Sequence, residues 1–362
     1  MGMKNIFYLF LICFTAMLVG GCTPGFYAVS GSGIYRIDSA GRAKLTLDQT
    51  GVNYLIADRS RGLYYASGNG QKSGRHRHGE LLVLKAGPGG LEVLQKTILE
   101  EHTPVHIALA PDGRTLYAAN YSQGDICELD LDEAGFFTGK MRFIAHSGRS
   151  IKRRQRSPHP HYCGFDPQGR GLFVCDLGTD HVYIYEYTPG QGIGTLCSEK
   201  LALAPGAGPR HMIFDRSGKV FYCANELDST VSCFVKKAGR WQLLKTLSTL
   251  KKTHTAAAQN YPGAIKLTAD GRFLLVTNRG DDSISLFAVD GSGGIELIEN
   301  ISSGGSYPGD IHISEYDKYV AISNLKSGNV TIFTLDKAQK KLLFTDNKAN
   351  IVQARALCGA IR

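Results

Sequence analysis

The chain has 362 residues, 43% of them hydrophobic, and a formal net charge of +9 at pH 7. That hydrophobic share excludes a disordered chain and is enough to fill one large domain or two. Forty-three glycines, seventeen tyrosines and sixteen phenylalanines against a single tryptophan, with few long helical patterns, favour short strands joined by tight turns, so the chain reads as all-β.

Residues 1–21 read as an export signal: Lys4, an apolar run from Ile6 to Val19, then Val19-Gly20-Gly21-Cys22 followed by Thr23 and Pro24. The run is short for a membrane span. Small residues before a cysteine form the pattern of a bacterial lipoprotein signal. Cys22 is therefore the expected lipidation site and membrane anchor, with a removable signal lacking lipidation as the alternative. The folded unit is then one domain over 22–362 in the cell envelope, with a net charge of +8 once Lys4 is removed. A basic balance spread over so long an exported chain points to surface charge or an anionic ligand rather than nucleic acid.

A strand, a turn and a strand ending in a small loop then recur down the chain. PDGRTLYAANYSQGDI, PQGRGLFVCDLGTDHV, RSGKVFYCANELDSTV and ADGRFLLVTNRGDDSI are clear copies; EYDKYVAISNLKSGNV and SRGLYYASGNG are degraded but in register, and FYAVSGSGIYRID is a seventh. In five copies the loop residue (Asn120, Asp176, Asn225, Asn278, Asn324) lies seven after the turn residue (Gly113, Gly169, Gly218, Gly271, Asp317), and Ser67 and Ser30 head the other loops. Successive loops are 37 to 56 residues apart, room for four strands, which describes a β-propeller blade. Seven units predict a seven-bladed ring. QARALCGAI supplies the strand that closes the blade begun by FYAVS, because unpaired first and last sheets would expose their edges. A pair of packed β-sandwiches is the alternative, and it does not account for the in-register loops.

Each hairpin brings the start of its first strand and the end of its second to one rim. The rim positions eight before the turn residue are Val105, His161, Arg210, Gly263 and Gly309; those after the loop residue are Tyr121, Leu177, Glu226, Arg279 and Leu325. Strongly polar groups concentrate in three consecutive blades as His161, then Arg210 with Glu226, then Arg279. These four are the catalytic candidates. The plain alternatives are an ion pair tying a hairpin end for Arg210 and Glu226, and a hydrogen-bonded loop histidine for His161. The basic run IKRRQRSPHPH, residues 151–161, lacks the aromatic interleaving of a nucleic-acid patch and reads as an exposed loop with one or two groups reaching the pocket. Arg154, Gln155 and His159 from this run, with His211, are the substrate-binding candidates. After Cys13 and Cys22, seven cysteines remain, at 127, 163, 175, 197, 223, 233 and 358, an odd number without C-x-x-C spacing. They read as buried free thiols, and neither a metal site nor a cofactor is indicated.

The segments RQRSPHPH, FDPQGRGLFVCDLGTDHVYIY, GPRHMIFDRSGKVFYCANELDSTVSCF, LTADGRFLLVTNRGDDSISLF and GSYPGDIHI resemble the seven-bladed propeller lactonases, a family of 6-phosphogluconolactonase-like proteins that includes a carboxymuconate cyclase. The resemblance is strong from 154 to 286 and weaker over the first two blades. It implies a site built from a histidine of P-H-x-H, the arginine of G-P-R-H, the glutamate of N-E-L-D-S-T and the arginine of N-R-G, which fall on His161, Arg210, Glu226 and Arg279. Two positions depart from it. Ala264 stands where the family commonly has a glutamate in the sixth blade, and Gly309 where it commonly has an arginine in the seventh.

The leading expectation is hydrolysis of an anionic sugar lactone. Glu226 would act as general base on water, Arg210 and Arg279 would hold the anionic group and the developing oxyanion, and His161 would protonate the leaving oxygen. Two readings stand beside it: a muconate-type cycloisomerase using the same residues, and a non-catalytic envelope propeller that binds a partner or a small anion.

Overall fold

The computed structural model describes residues 25–73, 76–251 and 259–361, so the expected signal and Cys22 lie outside the described residues. The alternating apolar segments form seven antiparallel sheets of four or five strands arranged as a seven-bladed propeller. Blades 2 to 7 begin with their inner strands, Val52–Asp58, Pro104–Leu109, Pro160–Phe165, Pro209–Phe214, Tyr261–Leu267 and Pro308–Ile313. In blade 1 the inner strand is the last of the chain: Ala356–Gly359 pairs with Phe26–Ser30, Tyr27 opposite Cys358. The ring thus closes as expected from QARALCGAI, which gives blade 1 its fourth, inner strand.

Seven apolar clusters fill the seven interfaces between neighbouring blades. One joins Phe26, Ala28 and Ile37 of blade 1 to Tyr319, Ala321 and Val330 of blade 7, so packing as well as hydrogen bonding runs across the closure. The seven cysteines expected to be free thiols are unpaired, six of them buried, with Cys175 and Cys223 of adjacent blades in Sγ contact at 3.9 Å.

The repeated polar residues have local jobs. The turn glycines have φ between 65° and 72°, the left-handed region where a Cβ is unfavourable. The loop residues Asn120, Asp176, Asn225, Asn278 and Asn324 are wholly buried. The asparagine side chains tie the second strand to the third: Asn225 Nδ2 donates to Thr230 Oγ1 and Ser232 Oγ, and Asn278 Nδ2 to Ser283 Oγ and Ser285 Oγ.

The rim position after each proline has a structural cause that its spacing does not reveal. The ladder skips one residue there, pairing Pro160 then Tyr162, Pro209 then His211, and Pro308 then Asp310. His161, Arg210 and Gly309 are therefore bulge residues, released from the pleat and turned to the mouth of the channel. In blade 6 the skip is longer, from Pro262 to Ile265.

Candidate active site

The bulges and loop ends of blades 4 to 6 bring three of the four expected residues into direct contact, with the fourth alongside. Glu226 is 2% exposed, and its backbone N–H donates to Gly208 O at 2.7 Å, which fixes the carboxylate under the rim. Arg279 Nη2 donates to Glu226 Oε2 at 2.5 Å and Arg154 Nη1 to Oε1 at 2.6 Å. Arg210 Nε lies 2.9 Å from Oε2 but is not aligned to donate to it, so this buried N–H has no hydrogen-bond acceptor among the described residues. Two backbone carbonyls orient the guanidinia: Gly263 O takes Arg210 Nη1 at 3.0 Å, and Tyr261 O takes Arg279 Nε at 3.0 Å. His161 is packed edge-on to His211 and Tyr121, at 5.3 and 5.5 Å between ring centroids, and its Nδ1 is buried without a hydrogen-bond partner among the described residues.

The electrostatics change the roles expected for Glu226 and His161. Burial alone would raise the Glu226 pKa, but the charges of Arg279, Arg210 and Arg154 outweigh it and hold the carboxyl well below the usual range. A carboxylate clamped on both oxygens is a weak proton acceptor, so Glu226 is better suited to organise the guanidinia than to be the base. Burial, reinforced by Arg210 and Arg279, pushes His161 well below its ordinary value. A resident imidazolium acid is thereby disfavoured; the neutral ring is also a weak base in the empty site, and it differs from Glu226 in having a ring nitrogen, Nδ1, not engaged by an arginine. Arg210 is drawn down to about 10 by burial and by Arg279, and stays charged.

The four substrate-binding candidates separate. Arg154 reaches Glu226 and also donates to Tyr121 Oη at 3.1 Å. It gets there because Arg153–Gln155 form a single 3-10 turn on the rim. His211 lines a cavity of about 140 Å³ beside Arg210 and Arg279. Gln155 is not a ligand residue: it is fully buried and donates to Leu177 O and Asp180 Oδ1, at 2.8 and 2.7 Å, anchoring the turn that carries Arg154. His159 is also structural, bonded through Nδ1 to Tyr121 O at 2.8 Å and stacked on the Tyr121 ring. Ala264 lies off the cavity wall, in the apolar cluster with Ile311, Val320 and Phe333, because the longer skip in blade 6 turns it inward. Gly309 does line the cavity.

Several neighbours carried no sequence signal of their own. Asp180 is the hub of the rim: besides Gln155 it accepts Gly206 N at 2.6 Å and Gly208 N at 2.7 Å, linking the Arg154 turn to the segment that delivers Arg210. His106, 5% exposed, lies below the site between Tyr54 and Tyr162, at 4.3 and 4.4 Å between centroids. Asp310 lines the same cavity, with a pKa raised by burial. Larger depressions of about 790 and 710 Å³ open toward the turn-glycine side, around Glu128 with Arg142 and around Asp290 with Lys236. Size alone favours them, but the smaller cavity is where Arg210, Arg279 and His211 converge.

A family model described as a seven-bladed β-propeller lactonase matches residues 16–358. The 6-phosphogluconolactonase of Bacillus subtilis is 32% identical over 221 residues, 60% of this chain and 62% of the relative, so the match spans less than two thirds of that protein. The solved structure of a periplasmic gluconolactonase from Pseudomonas aeruginosa superposes with a TM-score of 0.82 at 27% identity, covering 93% of this chain and all of that one. A Lactobacillus plantarum protein superposes equally well, TM-score 0.82 over 92% of this chain and 98% of its own, at 24% identity, a likeness of fold.

Proposed function

From a chain that belongs to the seven-bladed β-propeller lactonase family, we propose a lactone hydrolase acting on a sugar lactone that carries an anionic group. The observation that carries this reading is the charge imbalance at one buried carboxylate. Arg154, Arg210 and Arg279 converge on Glu226, three positive charges against one negative, beside a neutral imidazole. Such a site favours an anion in the ground state and an oxyanion in the transition state. The sugar part of the proposal rests on likeness to relatives named for gluconolactone and 6-phosphogluconolactone.

In the proposed cycle, a water oxygen adds to the lactone carbonyl carbon while its proton passes to His161. The displaced electron pair settles on the carbonyl oxygen, facing the guanidinium of Arg210. Collapse reforms the carbonyl and breaks the ring C–O bond, and the leaving oxygen takes the proton back from His161. Binding an anion offsets the guanidinium field, which raises the basicity of His161 in the loaded site. Glu226 holds the three arginines at the spacing this requires. Export with lipidation at Cys22 is part of the proposal, supported by the signal-like first residues and by a relative named as periplasmic.

Anion binding without turnover is the second reading, favoured by the occupation of both Glu226 oxygens. A pH-stat assay of the full chain on neutral, carboxylated and phosphorylated sugar lactones separates the two. The proposal expects turnover that is fastest on an anionic lactone and lost in His161→Gln. Product formed in ¹⁸O-water gains a labelled oxygen, whereas a cycloisomerase product has the mass of its substrate. No rate above buffer on any lactone, or an undiminished rate in His161→Gln, rejects it.

A further inference from the structure

The cavity of about 140 Å³ lined by Arg210 and Arg279 is lined also by an arginine that belongs to neither rim position of any repeat, Arg355. It comes from the segment that leads into the closing strand of blade 1. Its backbone is held from two blades: Arg355 N donates to Val29 O at 2.8 Å, and its carbonyl accepts from Ser323 Oγ at 3.1 Å. The side chain then crosses to blade 2, where Nη1 donates to Asn53 Oδ1, while Nη2 donates to Gln353 Oε1 at 3.2 Å. Both partners are neutral amides. Among the described residues no carboxylate is within ion-pair distance of Arg355, and the cavity's one acid, Asp310, already accepts the backbone N–H groups of Ile311 and Leu357. A guanidinium has five N–H donors, so most of its donor capacity and all of its charge are left for something else. Gly309 keeps this wall open: a Cβ there would come within 3.2 Å of the Arg355 carbonyl.

We propose that Arg355 anchors the anionic group of the substrate, a carboxylate or phosphate bound in the cavity that Arg355 lines together with Arg210 and Arg279. This deepens the lactonase reading by naming the residue that selects an anionic lactone over a neutral one, and it rests on that reading only for its kinetic arm. Guanidinium forks lining one small cavity suit a single oxyanion group. The cavity volume corresponds to about five waters, room for that group rather than for a large ligand. Arg355 is held at the joint where the ring closes, so its position depends on correct pairing of the last strand.

The test uses calorimetric titration of the full chain with inorganic phosphate and, separately, acetate, in wild type, Arg355→Gln, Arg355→Lys and Arg216→Gln. Arg216 lies in the turn at the opposite end of the blade 5 hairpin and controls for net charge. Loss of charge-assisted hydrogen bonds is expected to weaken binding roughly 10- to 100-fold in Arg355→Gln, with an intermediate loss in Arg355→Lys and none in Arg216→Gln. Whichever anion binds more tightly in wild type identifies the group. The kinetic arm expects Arg355→Gln to raise KM for the anionic lactone by a similar factor and to leave a neutral lactone unchanged. Phosphate and acetate bound equally by wild type and Arg355→Gln, or by neither, overturns the proposal. Arg355-dependent anion binding without turnover of any lactone upholds it while rejecting the lactonase reading.

Discussion

Acid should unfold this protein sooner than its carboxylates alone would imply. Burial pushes His106, His161 and His211 well below the ordinary imidazole range, and His312 down to about 4. Lys266 reinforces the effect at His106 and His312, and Arg210 at His161 and His211. In the unfolded chain each imidazole titrates near pH 6.5. Because the folded values are depressed, the stability linked to these groups is complete above about pH 6.5 and is lost as the pH falls below it, when the unfolded chain takes up protons the fold refuses. At pH 5.5 each unfolded imidazole is about nine-tenths protonated, worth about 1.4 kcal/mol, so the four together remove about 5 kcal/mol between pH 7.5 and 5.5. With an unfolding entropy of about 2.1 cal/mol/K per residue, the melting temperature drops by about 7 °C. Asp310 faces the same channel and works in the opposite sense, since its raised pKa favours the fold as the acid is protonated. Scanning calorimetry at pH 7.5, 6.5 and 5.5 at fixed ionic strength measures the slope, and His106→Gln and His312→Gln should each flatten it by about a quarter. A melting temperature constant over this range, or a slope unchanged in the double variant, would refute the neutral-histidine channel.

Three rim variants carry further expected outcomes. Glu226→Gln leaves three guanidinia facing a neutral amide and should cost about 3–5 kcal/mol by thermal or urea denaturation. The same variant should bind inorganic phosphate more tightly than wild type and recover melting temperature as phosphate is added. Asp180→Ala removes the carboxylate that accepts Gln155 Nε2, Gly206 N and Gly208 N; limited proteolysis should then cut faster within 150–156, and lactone turnover should fall as Arg154 and Arg210 lose their common support. Gly178→Ala puts a Cβ against the carbonyl of Ser157 and the backbone of His159, so it should displace the lead-in to His161 and lower both melting temperature and activity, whereas Gly190→Ala, with no neighbour near its Cβ, tests backbone strain alone through its φ of 73°.

Much of this architecture was legible because a propeller repeats its own constraints. Asn225 and Asn278 recur because each must satisfy a buried loop against hydroxyls on the third strand, and a turn of fixed length keeps them seven residues after the turn glycine. The rim set was legible for the same reason: equivalent positions share an environment, so polar exceptions in blades 4 to 6 identify one place in the ring. The spacing could not give the ladder register. Pro262 to Ile265 skips further than Pro209 to His211, and this sends Ala264 into the core although its distance from the turn matches its counterparts. Nor could adjacency in the 151–161 run separate Arg154, which points to Glu226, from Gln155, which points to Asp180, because a tight 3-10 turn sends successive side chains apart. Arg355 was invisible to the repeat since it belongs to the one segment that only closure brings to the cavity.

The pH dependence of kcat on an anionic sugar lactone, compared between wild type, His161→Gln and Glu226→Gln, tests the central claim most directly. Proton acceptance by His161 in a site organised by Glu226 predicts an acid limb in wild type that persists in Glu226→Gln at reduced rate and disappears with His161. A limb abolished by Glu226→Gln and kept by His161→Gln, or no turnover of any lactone, would contradict it.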